Sequence, residues 1–376
     1  MRNEAMLKDF IELVTTDAVT GQEDKVAAKL AEKLEALGFT VTIDDAGSKL
    51  GSSCGNLIAV RNGELNGSLL FSSHMDRMPN GFGIHPMEKD GVMYSDGTTI
   101  LAADDMAGAC AILNGLRETI ASGEPLPRLE AVFTIQEEKG ARGSSVLDMS
   151  QLQSKIGYVF DAPGVAGRSL VKGPGACAIN VELTGKPAHA GNEPENGIDA
   201  AKALATMLST LHTGRLDFET TSNFPILHGI SVTNSVCDKA GFRGEARSRN
   251  REKLEQYIAY FKEHCCKIAK DWNVGIEIAV DMVYPPLNIA EDEPVLTLAK
   301  AACERVGITY TPEVGGGGMD ANNFSDNGIR SIGCGCGYAK NHTTEEYLIL
   351  EEFFKAGQMC TEIIKIYSED LRKESV

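Results

Sequence analysis

Residues 68–76 read Ser-Leu-Leu-Phe-Ser-Ser-His-Met-Asp, an apolar run with a histidine and an aspartate at its carboxyl end. A short apolar run of this kind is typical of a buried strand. With the alternation of a strand, His74 and Asp76 point to the same side. His74 could then bind a metal ion while Asp76 orients its second nitrogen or a neighbouring group. Taken alone, a His-x-Asp sequence is more often a hydrogen-bonded surface pair.

Four other apolar runs end in the same kind of chemistry. They are followed by carboxylates or an imidazole: Asp104-Asp105 after 98–103, Glu137-Glu138 after 129–135, Asp161 after 156–160 and His342 after 329–336. Singly, an Asp-Asp pair is commonly a helix cap and a Glu-Glu pair is usually a solvated face. Together, carboxylates and imidazoles gathered at strand ends are what a two-metal hydrolytic site needs.

The types of these residues favour distinct roles. Asp104 could bridge two metal ions with its two oxygens. Glu137 and Glu138 are adjacent, so in an extended segment one could bind metal while the other stays free as a base. Asp161 and His342 would each cap one metal ion. Imidazole nitrogen and carboxylate oxygen suit two Zn²⁺ ions about 3.5–4 Å apart, and Co²⁺ or Mn²⁺ would fit as well.

The pattern along the chain predicts an α/β protein with two domains. The first 45 residues read as helix, helix, strand, and Thr20-Gly-Gln-Glu23 matches a capping box for the second helix. Strands then alternate with helices up to Asp161, as in a sheet covered by helices. Residues 175–287 instead follow the order βαββαβ of a small ferredoxin-like sandwich. We therefore expect a discontinuous domain of residues 1–174 and 288–376, with 175–287 inserted.

Composition bounds the partners and the compartment. The net charge of −17 argues against nucleic acid or an anionic membrane as a partner. No apolar run approaches the ~20 residues of a membrane span, and the N-terminus lacks the apolar core of a signal peptide. A cytoplasmic location is the resulting expectation. In that compartment the ten cysteines are expected to be reduced thiols.

Three motifs resemble a known family. They are Ala-Ala-Asp-Asp-Met-Ala-Gly at 102–108, Met-Asp-Ala-Asn at 319–322 and Asn-His-Thr-Thr-Glu-Glu-Tyr at 341–347. The whole chain is similar to the dinuclear zinc exopeptidases and deacylases that include peptidase T, carboxypeptidase G, aminoacylase and succinyl-diaminopimelate desuccinylase. Its subgroup resembles peptidase T. A related clan of glutamyl-type aminopeptidases is excluded, because its inserted domain falls between the two motifs that here end at Asp76 and begin at Asp104.

The resemblance implies a fold and a set of roles in the first domain. The fold is a zinc-exopeptidase-type helix-sheet-helix catalytic domain with an inserted ferredoxin-like α+β lid and dimerisation domain. Asp76 would support His74, Glu137 would be the general base, and the Asp104–Asp105 peptide would be cis. The implied metal ligands are His74 and Asp161 for one ion, Glu138 and His342 for the other, and Asp104 between them.

The resemblance also implies substrate contacts. In the inserted domain, the Gly-Lys-Pro-Ala-His-Ala-Gly motif supplies His189, which would polarise the scissile carbonyl, in some members across a dimer. Asn234 and Arg247 match positions used for substrate carboxylate or carbonyl groups. The glycine run 315–318, with Gly316 and Gly317 at its centre, lies where backbone amides approach the substrate. Two departures bear on specificity, namely Arg77 in place of the usual Thr and Met319 in place of Ser or Thr.

The expected function is that of a tripeptide aminopeptidase-like enzyme that hydrolyses short peptides with two zinc ions per subunit. A homodimer through the inserted domain is possible in such a protein. One alternative is an N-acyl amino acid deacylase or carboxypeptidase-type activity on the same site. A second is a non-catalytic metal- or peptide-binding relative, against which the retained base Glu137 argues. Substrate length, its amino or carboxyl polarity, the native metal and the oligomeric state stay open.

Overall fold

The computed structural model describes residues 2–374. The helices are α1 (Glu4–Val14), α2 (Asp24–Ala36), α3 (Ala46–Leu50), α4 (Ala103–Ala121), α5 (Arg142–Val146), α6 (Ala200–Thr210), α7 (Arg251–Asp271), α8 (Pro294–Val306), α9 (Asp320–Asp326) and α10 (Leu350–Glu374). Short 3₁₀ turns are formed by Glu137–Lys139, Met149–Gln151 and Pro194–Asn196.

The strands fall into three sheets. They are β1 (Thr40–Ile43), β2 (Leu57–Arg61), β3 (Ser68–His74), β4 (Met87–Lys89), β5 (Val92–Tyr94), β6 (Arg128–Thr134), β7 (Ile156–Ala162), β8 (Arg168–Gly173), β9 (Gly175–Thr184), β10 (Gly214–Arg215), β11 (Thr220–Ile230), β12 (Lys239–Ser248), β13 (Gly275–Tyr284), β14 (Leu287–Asn288), β15 (Thr311–Val314), β16 (Arg330–Gly335), β17 (Tyr338–Ala339) and β18 (Tyr347–Ile349).

The chain divides into two compact units. The first unit comprises the described residues through Gly173 together with those from Leu287 onward, and the second unit is Pro174–Pro286. The boundaries expected from the sequence lie one residue later at each junction. The roles expected for the two parts, catalytic domain and lid, stay predictions.

A mixed sheet organises the first unit. Its strand order is β1-β2-β6-β3-β7-β16-β8-β14, with β15 also beside β8. The neighbours β6, β3, β7 and β16 run parallel, so their carboxyl ends meet at one edge of the sheet. β3 has the burial expected of such a parallel strand: every residue from Leu69 to His74 is buried, so the strand is covered on both faces. A small antiparallel sheet, β17-β18-β5-β4, completes the unit.

Helix α4 packs directly on β3 and β7, and α10 packs on α4. One glycine makes the close approach of α4 to β7 possible. A Cβ at Gly108 would lie 1.6 Å from the backbone carbonyl oxygen of Phe160. No side chain fits that space without moving backbone, so Gly108 fixes how near the first turns of α4 come to the sheet.

The second unit has the predicted ferredoxin-like arrangement. Its elements follow the order β9, α6, β11, β12, α7 and β13, and its antiparallel sheet has the strand order β10-β11-β12-β9-β13. The short β10 is an addition that the sequence did not indicate. Its own core includes Phe242 and Phe261, whose rings lie edge to face with centroids 6.1 Å apart.

Two expectations from composition can be compared with the structure. All ten cysteines are free thiols, as predicted. Across residues 2–374, no helix combines the length and apolar character needed to cross a bilayer.

Candidate metal centre

Three predicted ligands meet at the edge of the sheet in the first unit. His74 ends β3, Asp161 lies near the end of β7, and Asp104 lies at the start of α4. Their ligand atoms all lie within 4.8 Å of one another. The Nε2 atom of His74 is 3.1 Å from Oδ1 of Asp104 and 3.7 Å from Oδ1 of Asp161.

A second ligand group shares Asp104 with the first. It adds Glu138 and His342, and its ligand atoms also lie within 4.8 Å of one another. Nε2 of His342 is 2.9 Å from Oε2 of Glu138 and 3.3 Å from Oδ2 of Asp104. Asp104 therefore turns one oxygen toward each group, which is the arrangement of a carboxylate between two cations.

Asp104 does not reach this position from a strand, and that part of the prediction is wrong. The apolar run 98–103 is irregular up to the start of α4, and Ala102 has a left-handed backbone with φ 56°. The backbone N–H groups of this run do not pair with a neighbouring strand. Those of Leu101, Ala102 and Asp104 donate instead to the carboxylate of Glu346. The Asp104–Asp105 peptide is cis, as expected.

The Glu137-Glu138 pair is also not extended, contrary to expectation. Both residues lie in the 3₁₀ turn Glu137–Lys139, in which the N–H of Gly140 donates to the carbonyl of Glu137. The carboxylate of Asp76 holds this turn, because its Oδ1 accepts the N–H of Glu137 at 2.8 Å and its Oδ2 that of Glu138 at 3.4 Å. The two side chains still separate, since Glu138 joins the second ligand group and Glu137 joins neither.

Asp76 orients His74 through its backbone. Nδ1 of His74 is 2.9 Å from the carbonyl oxygen of Asp76 and 3.6 Å from its carboxylate. A carbonyl only accepts, so Nδ1 carries a proton, and in the neutral imidazole Nε2 keeps the lone pair that a metal ligand needs. The carboxylate of Asp76 is thereby free to hold the Glu137–Lys139 turn.

Thr20 supports the same carboxylate and does not cap a helix. Its hydroxyl donates to Oδ2 of Asp76 at 2.8 Å. The predicted capping box is therefore wrong, and α2 begins after Glu23 without a side-chain cap. Glu23 is fully buried, and its Oε1 accepts the N–H groups of Gly21 and Gln136. Tertiary partners have drawn both side chains away from the helix end.

The electrostatics of the centre call for positive charge. Burial, followed by the charge of Asp161, raises the pKa of Glu137 well above its usual range. Although burial opposes it, the charges of Asp161 and Asp104 raise the pKa of His74 well above its usual value. Hydrogen bonds to Asp104 and then Glu138 raise the pKa of His342 to about 10. Both imidazoles thus lie among carboxylates whose negative charge favours a cation at this centre.

An unpartnered oxygen fits the same conclusion. Among the described residues, Oε1 of Glu138 is buried and has no hydrogen-bond partner. A buried carboxylate oxygen without a donor is costly unless a cation lies against it. The donor set, with imidazole nitrogen and carboxylate oxygen in each group, fits a pair of divalent ions of the zinc type.

Three polar side chains at the centre were not assigned a role from the sequence. The hydroxyl of Tyr338 donates to Oδ1 of Asp161 at 3.1 Å, and Nδ2 of Asn341 donates to Oδ2 of Asp104 at 2.6 Å. Glu346 is the third. Asn341 and Glu346 lie inside the 341–347 motif that carried the family resemblance, which was the available signal. Tyr338 had none.

A cavity of about 270 Å³ in the first unit opens onto these groups. Gly316 and Gly317 line it, as does Met319. A Cβ at either glycine would have nothing within 4 Å, so the backbone of this run is open to the cavity. The remaining lining residues are Asp104, Glu137, Glu138, Asp161, Pro163, Arg168, Leu170, Gly315, Gly318, Tyr338, Asn341 and His342. A larger cavity of about 640 Å³ near Arg305 holds none of the metal-ligand residues.

Arg77 has a structural partner in the first unit. Its side chain is completely buried, and its guanidinium donates to the carbonyls of Val14 at 2.8 Å and Leu13 at 3.1 Å. These carbonyls belong to the last turn of α1, where a positive charge is favourable. Arg77 is not among the residues that line the cavity, whereas Met319 is.

The remaining predicted residues lie in the second unit. His189 and Asn234 are exposed, and Arg247 is partly exposed. Nδ1 of His189 accepts the N–H groups of Gly191 and Asn192, both at 3.2 Å. The carbonyl of Asn234 accepts the N–H of Ala190. Arg247 already has a carboxylate partner, since its Nε and Nη2 bind Glu245 at 2.8 and 2.9 Å.

Comparison with known proteins agrees with this geometry. Residues 70–366 match peptidase family M20/M25/M40. The uncharacterised protein YqjE of Bacillus subtilis is 33% identical over 366 residues, which cover 97% of this chain and 99% of YqjE.

Two solved structures are similar over nearly their whole length. The aminopeptidase PepT of Bacillus cereus has a TM-score of 0.89 and 36% identity, covering 97% of this chain and 98% of its own. A tripeptidase of Staphylococcus aureus has a TM-score of 0.90 and 33% identity, covering 98% of this chain and 100% of its own. The chain therefore belongs to peptidase family M20/M25/M40, and it is a metallopeptidase.

Proposed function

We propose that this protein is a peptidase T-like exopeptidase that cleaves short peptides, tripeptides among them, with two zinc ions per subunit. The observation that carries the proposal is the division of carboxylates at the centre. Asp104 belongs to both ligand groups, while Glu137 lines the same cavity and belongs to neither. The names of the two similar structures, an aminopeptidase and a tripeptidase, support the substrate class.

In this proposal the two ligand groups hold one cation each. His74 and Asp161 would bind the first, Glu138 and His342 the second, and Asp104 both. Two divalent ions held there would polarise the scissile carbonyl and increase the acidity of the attacking water. Zn²⁺ is the proposed native ion, with Co²⁺ and Mn²⁺ as substitutes, and metal analysis of the purified protein tests that choice.

Glu137 is the proposed general base. Its backbone is fixed by Asp76, it lines the cavity, and burial raises its pKa. It would accept a proton from the attacking water and pass it to the leaving amine nitrogen. A carboxylate outside both ligand groups can make these transfers without releasing a cation.

His189 is the proposed electrophilic partner of the carbonyl oxygen. Because two backbone N–H groups donate to its Nδ1, the proton lies on Nε2, which is therefore a donor. A donor of this kind stabilises the negative charge that develops on the carbonyl oxygen. Asn234, Arg247 and the backbone of Gly316 and Gly317 are proposed substrate contacts.

The decisive variant is Glu137→Gln. It is expected to keep two equivalents of metal and to lose about 1,000-fold in kcat, because only the proton acceptor is removed. Glu345→Gln, at an exposed position of the same unit, is the matched control. Metal content by elemental analysis and tripeptide hydrolysis are the measurements. Near-normal turnover of Glu137→Gln would exclude the proposed mechanism.

The substrate class needs a separate comparison. A free tripeptide, the same tripeptide with an acetylated amino end, and an N-acyl amino acid present the same kind of amide to the centre. Hydrolysis of the free tripeptide alone supports the aminopeptidase. Preference for the N-acyl amino acid would favour the deacylase, and metal binding with no hydrolysis of any of the three would favour a binding protein.

We also propose that the second unit forms a homodimer. β10 pairs only with Thr221 and Ser222, so among the described residues the outer edge of β11 has no strand partner beyond them. Exposed apolar residues occur in this strand (Ile226, Leu227 and Ile230) and just after it (Val232). An open apolar edge is favourable for pairing with a second copy around a two-fold axis.

Sedimentation of the wild type and of Ile230→Lys tests the dimer. A dimer that dissociates in the variant supports it, and a wild type that is monomeric at micromolar concentration would exclude it.

A cytoplasmic location is also proposed, supported by the ten free thiols.

A further inference from the structure

Three buried backbone donors before and at the start of α4 converge on one side chain. Leu101 and Ala102 are completely buried in an irregular segment, and buried N–H groups need acceptors. Both N–H groups donate to Oε2 of Glu346 at 2.9 Å. The N–H of Asp104 donates to Oε1 of the same carboxylate, also at 2.9 Å. Both oxygens of Glu346 are therefore in use.

Glu346 belongs to the segment that carries His342. It is 1% exposed, and its own N–H donates to the carbonyl of Thr343 at 3.1 Å. It lies 242 positions from Asp104 in the sequence. One carboxylate thus joins the segment that presents Asp104 to the segment that presents His342.

Asp104 is the residue on which both ligand groups depend. Its Oδ1 is 3.1 Å from His74 and its Oδ2 is 3.3 Å from His342. A displacement of its backbone by a few tenths of an ångström would change both distances at once. Glu346 does not line the cavity, and its contact with the centre is through the backbone that it holds.

On the basis of the proposed dinuclear function, we propose that Glu346 is a positioning residue that sets the affinity of both metal sites by fixing the backbone of Asp104. Its carboxylate accepts N–H groups on both sides of the left-handed Ala102, which orients the Asp104 side chain before a cation arrives. Partners that orient metal ligands in this way typically change metal affinity by about 10- to 100-fold.

Both carboxylate oxygens are needed, which makes Glu346→Gln a sharp test. An amide has one acceptor oxygen and one NH₂ group that only donates. Whichever way it lies, either the N–H of Asp104 or the N–H groups of Leu101 and Ala102 would face a donor. Glu346→Asp keeps both oxygens on a side chain shorter by one methylene, so it should retain part of the function.

The measurement is metal binding by the apo-protein, with no substrate present. Co²⁺ is titrated into chelator-treated wild type and variants, followed by its visible absorption, and Zn²⁺ is titrated by calorimetry. We expect Glu346→Gln to weaken both equivalents at least about tenfold and to change the cobalt spectrum, with Glu346→Asp between it and the wild type. His74→Ala, which touches one ligand group, should weaken mainly one equivalent.

The matched control is Glu345→Gln, an adjacent and exposed position paired with Lys340. It should bind both equivalents like the wild type. A merely structural role for Glu346 would lower the melting temperature and leave the affinities measured well below it unchanged. That result, in Glu346→Gln or, if that variant does not fold, in Glu346→Asp, would overturn the inference. Failure of the wild type to bind two equivalents would instead overturn the proposed function.

Discussion

The metal centre of the first unit and the His189 region of the second are held in place by different means. At the centre, four of the five predicted ligands are buried or partly buried and the fifth, His342, is exposed; Asp104 and Asp161 are held by hydrogen bonds from side chains far away in the sequence. His189 is exposed, and within residues 2–374 the hydrogen bonds to its ring come from backbone N–H groups no more than three positions away.

This difference shows which region depends on a fixed arrangement of supporting hydrogen bonds. A buried carboxylate is costly unless its oxygens have partners. The ligand carboxylates of the centre are therefore surrounded by side chains that donate hydrogen bonds to them. An exposed imidazole is solvated by water and needs only the correct tautomer. We therefore expect changes to the metal ligands, and to the groups that hold Asp104, to affect metal binding and turnover together, and changes near His189 to affect turnover alone.

The largest expected effect is at Asp104. Asp104→Asn removes the carboxylate on which both ligand groups depend, so it should hold fewer than two equivalents of metal and lose at least about 1,000-fold in kcat/KM. Asp96→Asn, at an exposed loop of the same unit, is the control. An Asp104→Asn protein with two tightly bound equivalents would contradict the view that Asp104 is shared.

The second prediction concerns His189 and tests whether the second unit affects turnover without affecting metal binding. His189→Ala should keep both metal equivalents and lose about 100-fold in kcat, which is the usual effect of removing one oxyanion donor. His228→Ala provides a matched histidine in the same unit, paired with Glu182 on β9. Loss of metal from His189→Ala but not from His228→Ala would show that the second unit takes part in metal binding.

A smaller effect is expected at Thr20. Thr20→Val keeps the shape and removes the hydroxyl that donates to Asp76, so the Glu137–Lys139 turn loses one support. Losing about 1 kcal/mol of hydrogen bonding corresponds to about fivefold in kcat, with metal content unchanged. Thr206→Val is the control, because its hydroxyl donates to the carbonyl of Lys202 in its own helix and is remote from the centre in the sequence. Equal kcat in both variants would argue against a role for Thr20.

The smallest effect is in the second unit, away from any proposed contact. The hydrogen bond from the backbone N–H of Glu219, with further ones from Lys253 and Thr220, lowers the pKa of Asp217 from 3.8 to about 2. A depressed pKa in the folded state stabilises above the unfolded pKa, and this stabilisation is lost as pH falls from about 4 toward 2. Asp217→Asn should reduce the free energy of unfolding by no more than about 1 kcal/mol at pH 7, because the side chain is only partly buried and solvent screens its interactions.

Urea unfolding at several pH values measures that difference. It should shrink as the pH is lowered below 4, while tripeptide hydrolysis at pH 7 stays unchanged. A difference that grows on acidification would reverse the assigned sign.

Local patterns predicted the fold class, the βαββαβ order of the second unit and the residues that gather at the centre. They worked because each ligand adjoins a short apolar run, and parallel strands bring their ends together whatever the exact register. The same patterns misread residues 98–103 and Thr20-Gly-Gln-Glu23. In both cases a distant carboxylate, Glu346 or Asp76, supplied the hydrogen bonds that the local pattern had assigned to a strand or a helix cap.

Glu346 illustrates the limit most clearly. Its acceptors serve donors more than 240 positions earlier in the chain, and no periodicity or spacing connects them. Tyr338 is similar, because its hydroxyl reaches Asp161 from a separate sheet. The chemistry of a site is written in its ligands, but the groups that hold those ligands are recognised only once the chain is folded.

The position of β16 has a consequence for synthesis. This strand, Arg330–Gly335, is made late, yet it lies between β7 and β8 in the sheet. During synthesis, β7 and β8 are therefore made before the strand that separates them in the sheet. The whole second unit is translated between β8 and β16. Pro174–Pro286 can therefore fold on the ribosome before the first unit is complete. The second ligand group is then completed late, because His342 emerges after β16.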